Sequence, residues 1–506
     1  MSEPAGLTRW SMGSGVRRAL LVALLVAATS GCAYNWPQWG GGPKHAGSAG
    51  SENTLTVANV AGLHSLFTAT LPGTADGAPT YWTGVQTAAG KKDLVFVTTR
   101  AGTLVALDAH TGTTAWSKSF PAVGCKINNG GTACYTTSSP AIDPTGLYVY
   151  TYGLDGKVHK VAIGTGVEVV DTHWPEVATL KGYDEKGSSA LAIATAKSGR
   201  SFLYAAHAGY PGDLGDYQGH VTVIDLGDGS QRTFNSLCSN QGVHFVGAGG
   251  QPDCAEVQSG VWARVGVVYD PDTDLVYLSS GNGTYAPASH QWGDTVAAIH
   301  PDGTGNTLGD PVDAYTPTNY QQLDQSDLDL GSTAPAILPV TDTRVVQHLG
   351  LQSGKDATLR LLNLDNLSGH GGPGFTGGEV GPIVAVPQGG EVLTTPVVWT
   401  NPADKSVWVF VANDNGTSAL QVTYNANGRP GLTKKWQITR AGTTPVVANG
   451  VLYIASGTRV GAYNATTGAS LWSDTSLSTI HWQSPIVDNG LVYIEDGGGK
   501  LHAYTR

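Results

Sequence analysis

A hydrophobic strand, a polar turn and a second hydrophobic strand recur along most of this chain. The first strand of the pair reads LVFVTT from Leu94, LVYLSS from Leu275 and VLYIAS from Val451, and the second reads TLVALD from Thr103 and HVTVID from His220. The motif occurs eight times, with no helical periodicity between the copies. One short β unit repeated many times is typical of the blades of a propeller. The pattern therefore predicts an all-β fold built from four-stranded antiparallel blades.

A proline that precedes a hydrophobic strand sets the number of blades. It stands at Pro79, Pro140, Pro335, Pro396, Pro445 and Pro485. Proline suits the first residue of a strand because it has no N–H to donate to a neighbouring strand. The interval of 195 residues between the second and third prolines holds three units of 65, so the spacing predicts eight blades. The last blade lacks an outer strand, and we expect LHSLFTA from Leu63 to supply it and close the ring.

Two of the blades share a Thr-Gly turn followed by a tryptophan. The copies are Thr111-Gly112 with Trp116 and Thr467-Gly468 with Trp472. Glycine permits the tight turn, and tryptophan offers a large flat surface with an N–H that needs a partner. We expect these tryptophans to pack between neighbouring blades.

The first 31 residues are predicted to be a lipoprotein signal peptide and not part of the fold. Arginines at Arg17 and Arg18 precede the apolar run ALLVALLVAA, which ends in small residues before Cys32. This arrangement is typical of a secretory signal and resembles the lipobox of bacterial lipoproteins. It predicts an exported protein, held at the bacterial cell envelope by a lipid on Cys32 alone. Cleavage without modification of Cys32 is the alternative. Residues 32–62 then form an N-terminal arm, and residues 63–506 form the propeller.

Charge and cysteine content narrow the function classes. The net charge is −11 and no basic stripe is present, which argues against nucleic acid as a partner. Four cysteines remain after Cys32, and an even number in an exported chain predicts disulfides. Nearness in sequence favours Cys125–Cys134 and Cys238–Cys254, although three connectivities are open. There is no C-x-x-C-H, the attachment motif for c-type haem, so redox chemistry would need a separate electron acceptor.

From Trp36 onward the chain resembles the pyrroloquinoline quinone (PQQ) propeller superfamily. Its members include quinoprotein alcohol dehydrogenases, polyvinyl-alcohol dehydrogenase-like proteins and non-catalytic assembly scaffolds of the outer membrane. The resemblance rests on the repeats, on WPQWGGGPKHAGS from Trp36 and on VWARVGVVYDPDTDLVYLSSGNGTYAP from Val261.

The dehydrogenases imply an enzyme that oxidises a small-molecule or polymeric alcohol, with PQQ and Ca²⁺ bound in the central channel. The scaffold members imply the alternative, a propeller that binds a protein partner in the cell envelope. A lectin-like propeller that binds polysaccharide is a third possibility.

The resemblance implies a role for several residues of the middle blades. Trp262 falls where the family has the tryptophan beneath the quinone, and Asn282 falls on its Ca²⁺-ligating asparagine. Asp213 is the nearest counterpart of the family's second metal ligand, although the alignment can slide to Asp216. Ordinary structural roles compete with each assignment: a tryptophan packed between blades, a turn asparagine and a loop carboxylate.

The family also has an aspartate that takes the alcohol proton and a cation beside the quinone. Asp324 and Asp327 are the candidates for the base, whereas we expect Asp329 to make local turn bonds. Lys355 matches the cation. A solvated acidic loop and a surface lysine are the alternatives. The chain departs from many family members in lacking two adjacent cysteines, and Arg100 is a poor match for the arginine found near them.

Overall fold

Eight antiparallel sheets follow one another along the chain, and they are numbered here as blades 1 to 8. The computed structural model describes residues 34–50, 52–123, 134–210, 212–247 and 249–506. The predicted all-β, eight-bladed propeller is confirmed. The signal segment 1–31, Cys32 and Cys125 lie outside the described residues, so the signal peptide, the lipid on Cys32 and the pairing of Cys125 stay predictions.

Each blade has four main strands, and blade 3 has a divided inner edge at which two short strands pair with the same neighbour. The strands of blades 1 to 4 are Thr80–Thr87, Gly90–Thr98, Thr103–Asp108, Thr114–Ser119; Ala141–Ile142, Tyr148–Tyr152, Lys157–Ala162, Glu176–Val177; Glu185–Gly187, Ala192–Thr195, Ser201–Gly209, His220–Asp225, Gln231–Asn235; and Val268–Asp270, Leu275–Ser279, Val296–Ile299, Asp313–Tyr315. Those of blades 5 to 8 are Ala336–Leu338, Leu349–Ser353, Thr358–Asn363, Val384–Ala385; Val397–Thr400, Val407–Asn413, Gly416–Tyr424, Pro430–Ile438; Val446–Ala448, Val451–Ser456, Arg459–Asn464, Ser470–Asp474; and Ile486–Asp488, Leu491–Asp496, Lys500–Thr505, His64–Thr70. Blade 4 also carries a small hairpin, Tyr285–Ala286 with Gln291–Trp292.

The repeated proline marks the inner strand of six blades. In each of them the proline lies immediately before the first strand. The first strands of neighbouring blades contact one another, which places them around the axis of the ring. Blades 3 and 4 have no such proline, in agreement with the long interval in the sequence.

The ring closes as predicted. His64–Thr70 pairs antiparallel with Lys500–Thr505 and becomes the outer strand of blade 8. Thr68 Oγ1 lies 3.3 Å from Nδ1 of His502 across this junction, over a sequence separation of 434 residues. The last blade is thus built from both ends of the propeller.

Tryptophans of the outer strands join neighbouring blades. Trp116 of blade 1 donates its indole N–H to the carbonyl of Ile163 in blade 2, at 2.9 Å. Trp436 of blade 6 makes the same bond to Ala465 of blade 7, also at 2.9 Å. The turn glycine of the following blade lies against the indole: a Cβ on Gly468 would come within 2.9 Å of the Trp436 ring. The glycine of the turn therefore makes room for the tryptophan of the preceding blade.

The N-terminal arm, residues 34–50, runs around the axis and contacts one inner strand after another. Its backbone carbonyls at Pro37, Pro43, Ala46 and Gly47 accept hydrogen bonds from Ile142, Tyr269, Val398 and Val447, in blades 2, 4, 6 and 7. Ser48–Ala49 adds a parallel strand to the inner edge of blade 7. Trp36 and Trp39 are buried in the largest apolar cluster of the described residues. These contacts close one end of the hub with apolar side chains.

Helical structure is scarce. The described residues contain one α-helix, Tyr320–Gln325, and 3₁₀ turns at Trp39–Gly41, Val60–Gly62, Ser239–Gln241, Pro287–Ser289 and Leu330–Ser332. No helix in the described ranges is long and apolar enough to cross a membrane. Cys238 and Cys254 form a disulfide, as predicted. The predicted partner of Cys134 is outside the described residues, so that pairing stays a prediction.

Candidate functional site

A pocket of about 320 Å³ lies at the hub, on the side opposite the arm. Five of the residues that line it, Thr137, Ser188, Trp262, Ser332 and Trp482, come a few residues before the inner strands of blades 2, 3, 4, 5 and 8. The arm instead contacts residues within or near the ends of those strands. The remaining lining residues are Lys186, Gly212, Asp213, Arg264, Asp327, Asp329, Lys355 and Leu393. The hub is therefore apolar at one end and polar at the other.

Trp262 forms a flat wall of this pocket. Two glycines lie close against its ring and leave no spare room beside it: a Cβ on Gly260 would lie 2.8 Å from Cε2, and a Cβ on Gly281 would lie 2.7 Å from Cδ1. The ring of Tyr217 meets it edge-on at 5.9 Å. The indole N–H of Trp262 is buried and has no partner among the described residues. A side chain so confined offers a rigid surface on which a planar ligand can stack.

Asn282 is brought together with two aspartates from the segment before blade 5. Its backbone N–H donates to Oδ1 of Asp329 at 2.8 Å, and its Nδ2 lies 3.4 Å from Oδ1 of Asp327. Its own Oδ1 is buried and finds no hydrogen-bond donor in the described part of the chain. A buried amide oxygen without a donor can accept a hydrogen bond or ligate a metal ion.

Lys355 links the same two aspartates. Its Nζ lies 2.8 Å from Oδ1 of Asp327 and 2.5 Å from Oδ2 of Asp329. Burial acts to lower the pKa of Lys355, but the two carboxylates outweigh it and hold the pKa above its ordinary value. The lysine is therefore a permanent positive charge at this side of the pocket.

Asp213 reaches the pocket from blade 3, and the alternative Asp216 does not line it. The hydroxyl of Tyr217 donates to Oδ1 of Asp213. Burial raises the pKa of Asp213, and the negative charges of Asp329 and Asp327 add to this. Asp216 instead pairs with Lys181 at 3.1 Å. Of the two aspartates that the sequence left open, the pocket contains Asp213.

The acidic segment before blade 5 differs in detail from the sequence expectation. Asp324 lies exposed on the short helix and does not line the pocket. Asp329, for which we expected local turn bonds, is buried and bonds to Lys355 and Asn282 from other loops. Because the chain leaves the helix at Ser326 and turns through a positive φ at Asp327, only the later aspartates turn toward the axis. Asp327 and Asp329 are thus the aspartates of this segment that line the pocket. Their roles stay predictions.

Lys186 and Arg264 also line the pocket, and neither was predicted from the sequence. Lys186 lies 4.9 Å from the ring of Tyr135 and 5.8 Å from that of Trp262. Burial lowers the pKa of Lys186 to about 7, and the nearby charge of Arg264 contributes. In the described residues neither Lys186 nor Arg264 has an ion-pair partner. Arg264 stands two residues after Trp262, so the only sequence signal was its place in the VWAR stretch.

A further carboxyl group, that of Asp294, lies behind the site. Its Oδ1 accepts from the N–H of Leu330 at 3.0 Å, which fixes the turn that follows Asp329. Burial raises the pKa of Asp294 to about 8, and the charge of Asp329 adds to the shift. Asp294 is therefore mostly protonated at neutral pH and contributes a hydrogen-bond acceptor with little charge.

The protein itself supplies few metal ligands. Within the described ranges no three His, Cys, Asp or Glu side chains form a group that could hold a metal ion. The carboxylates of Asp213 and Asp327 line the pocket, and the amide of Asn282 lies beside Asp327. These groups supply oxygen ligands of the kind Ca²⁺ prefers. Because Ca²⁺ takes six to eight oxygens, a bound ligand and water would have to provide the others.

The sequence of this propeller matches a known protein family. A family model described as outer membrane protein assembly factor BamB matches residues 3–244 and 388–506, well over half of the chain. The chain belongs to this family. The predicted membership of the PQQ-binding propeller superfamily is thereby confirmed. No curated protein sequence matches the chain.

Solved structures with the same architecture include three dehydrogenases. A europium-containing methanol dehydrogenase is 15% identical, with a TM-score of 0.64 over 93% of this chain and 98% of that chain. Quinohemoprotein alcohol dehydrogenases of Comamonas testosteroni and Pseudomonas putida HK5 are each 14% identical, with TM-scores of 0.63 and 0.62 over 93% of this chain and 80% of theirs. At such identities the likeness extends to the fold alone.

Proposed function

We propose that the hub pocket binds pyrroloquinoline quinone and that the protein uses it to oxidise a hydroxyl-bearing substrate. The observation that carries this proposal is the convergence of Trp262, Asp327 and Lys355, from blades 4 and 5, on one pocket at the axis. Asn282 lies beside this pocket, with its side chain next to Asp327. Fold likeness would not suffice, because related propellers serve unrelated functions.

The pocket fits a planar polyanion. Trp262 supplies a flat wall, and Lys186 and Arg264 supply two cations without ion-pair partners in the described part of the chain. Asp76 is the one nearby carboxylate that favours the charged forms of both residues, and it makes an ion pair with neither of them in the described part of the chain. A ligand that carries carboxylates would add the direct partners that these side chains lack. The volume of about 320 Å³ is at the lower end of the range for small-molecule pockets.

The residues of the pocket have distinct parts in the proposed reaction. A bound quinone would accept the two electrons and two protons that an alcohol releases on becoming a carbonyl compound. Asp327 would take the hydroxyl proton; its exposed carboxylate, beside Lys355 and Asn282, supports this role. Lys355 keeps its charge and would stabilise a developing negative charge. Asn282 and Asp213 would contribute oxygen ligands to Ca²⁺.

Quinone uptake tests the proposal directly. Purified protein is titrated with PQQ, with and without Ca²⁺, and the quenching of tryptophan fluorescence is followed. We expect saturable binding that weakens at least tenfold in Trp262→Ala, and no such loss in Trp472→Phe, whose ring packs on Tyr504 away from the pocket. Circular dichroism checks that both variants are folded. Absence of quinone uptake at any Ca²⁺ concentration rejects the proposal.

The second candidate is a protein-binding scaffold of the cell envelope, and the family match favours it. In this case the propeller would present its loops to a partner, and the lipid on Cys32 would hold it at a membrane. The discriminating experiment is affinity capture from envelope extract with wild-type protein and with Trp262→Ala. A stable partner recovered by both, together with no quinone uptake, supports the scaffold. Recovery of no partner argues against it.

A further inference from the structure

A second, larger cleft adjoins the hub pocket. It has a volume of about 490 Å³ and is lined by loops of blades 5 to 8. Leu393 and Trp482 line both cavities, so the two spaces meet at these side chains. The cleft opens on the same face of the propeller, because its residues also lie in loops that precede inner strands or follow second strands.

The chemistry of this cleft differs from that of the hub pocket. Its lining contains no lysine or arginine, whereas the hub pocket contains three such residues. Glu391 and Asp414 are exposed on its walls, and in the described part of the chain their carboxylates have no hydrogen-bond or ion-pair partner. Asn415 and Ser456 add an amide and a hydroxyl. Such a surface repels anions and offers many acceptors to hydroxyl donors.

The boundary between the two cavities is held in place by a buried aspartate. Asp76 accepts hydrogen bonds from the backbone N–H of Trp482 at 3.3 Å and lies 3.0 Å from Nδ1 of His481. Arg264, on the hub side, lies 4.7 Å from the indole ring of Trp482. The indole is thus fixed at the junction, where it can contact the apolar face of a ligand that extends from one cavity into the other.

We propose that this cleft is a binding site for a neutral polyhydroxylated chain, such as an oligosaccharide or a polyol. Carboxylates without an internal partner, such as those of Glu391 and Asp414, bind adjacent hydroxyl groups well, and the exposed amide of Asn415 makes only one long hydrogen bond, to the carbonyl of Gln388 at 3.5 Å. A volume larger than that of the hub pocket accommodates several units. Its use as a substrate subsite, which would deliver a terminal hydroxyl to the hub pocket, rests on the function proposed above. Binding itself does not require the quinone.

Ligand-detected NMR on quinone-free protein tests the binding. The probes are maltotriose, a neutral trisaccharide, and trigalacturonate, an anionic one of similar size. We expect maltotriose to bind at least tenfold more tightly than trigalacturonate, since no lysine or arginine lines the cleft and His481, its one histidine, lies against the carboxylate of Asp76. Glu391→Gln and Asn415→Ala should each weaken maltotriose binding severalfold. Asn427→Ala, at an exposed turn of the same blade as Asn415, is the matched control and should leave binding unchanged.

Three results would overturn the proposal: no detectable maltotriose binding, equal binding of the two trisaccharides, or equal effects of Asn415→Ala and Asn427→Ala. These results are independent of quinone uptake, so failure of this inference is distinguishable from failure of the proposed function. If quinone does bind, a second readout is available. The KM for maltotriose should then rise in Glu391→Gln while the KM for 1-propanol, which is too short to reach the cleft, stays the same.

Discussion

At the scale of single residues, the main question is which aspartate before blade 5 acts as the base in the proposed oxidation. Asp327 lies at the pocket beside Lys355 and Asn282, and Asp324 lies outside it. Asp327→Asn is expected to lower kcat for alcohol oxidation by roughly 10²–10⁴, the usual contribution of a positioned base, while quinone uptake persists. Asp324→Asn should retain most of the activity. Steady-state kinetics of both variants make the comparison, and equal losses would contradict the assignment.

Lys186 predicts a pH dependence of ligand binding. Its pKa is lowered to about 7, so the ammonium is lost as pH rises through neutrality and the affinity for a polycarboxylate should fall. The same shift affects folding: between about pH 7 and the ordinary lysine pKa the unfolded chain binds more protons, so this lysine makes the free energy of unfolding rise with pH.

Lys186→Met should remove the pH dependence that Lys186 gives to ligand affinity and to the free energy of unfolding. It should also weaken quinone binding below pH 7. Titrations of quinone uptake and urea unfolding at pH 6, 7.5 and 9 provide the measurement. A variant whose binding follows the wild-type pH profile would show that Lys186 does not face the ligand.

The sequence could indicate only part of this site. Trp262, Asn282 and Lys355 lie in stretches that resemble family motifs. The structure places Trp262 and Lys355 in one pocket and Asn282 beside it, next to Asp327. Lys186 and Trp482 carry no motif, because their importance comes from where blades 3 and 8 meet the axis. Asp329 reaches the pocket because the helix before it ends at Gln325. A helix of six residues is too short to show a hydrophobic periodicity, so its end could not be predicted from the sequence.

At the scale of strands, the junction of blade 8 determines whether the ring holds together. Thr68 and His502 face each other across it with side chains 3.3 Å apart. Cysteines at these two positions should form a disulfide on oxidation and raise the free energy of unfolding by about 2–4 kcal/mol, because the crosslink restrains the unfolded chain.

Thermal unfolding of the oxidised double variant is compared with that of Thr68→Cys alone, which cannot form this crosslink. No increase in Tm would mean that the junction is not the pairing described.

This junction was predictable from sequence because a blade one strand short must find a strand elsewhere. The path of the arm around the hub was not, since its partners are backbone groups of inner strands.

At the scale of the whole molecule, the arm ties the blades to one another. Trp36 is fully buried and belongs to an apolar cluster shared by several blades. Trp36→Ala is therefore expected to lower the free energy of unfolding by about 3–5 kcal/mol, the usual loss for a large buried aromatic side chain.

The control is Leu147→Ala, at a side chain that is 60% exposed. This variant should change the free energy of unfolding by no more than about 0.5 kcal/mol. Urea unfolding followed by circular dichroism gives both values. Similar small changes in the two variants would show that the arm is dispensable for stability.

The strand that completes blade 8 has a consequence for biosynthesis. Thr68 is made early and its partner His502 is made 434 residues later, so the ring cannot close before residue 502 has been made. During that time the nascent chain exposes an unpaired strand edge, and such edges recruit other chains. The open edge of blade 8 must therefore be kept apart from other chains until the two distant strands, His64–Thr70 and Lys500–Thr505, have paired.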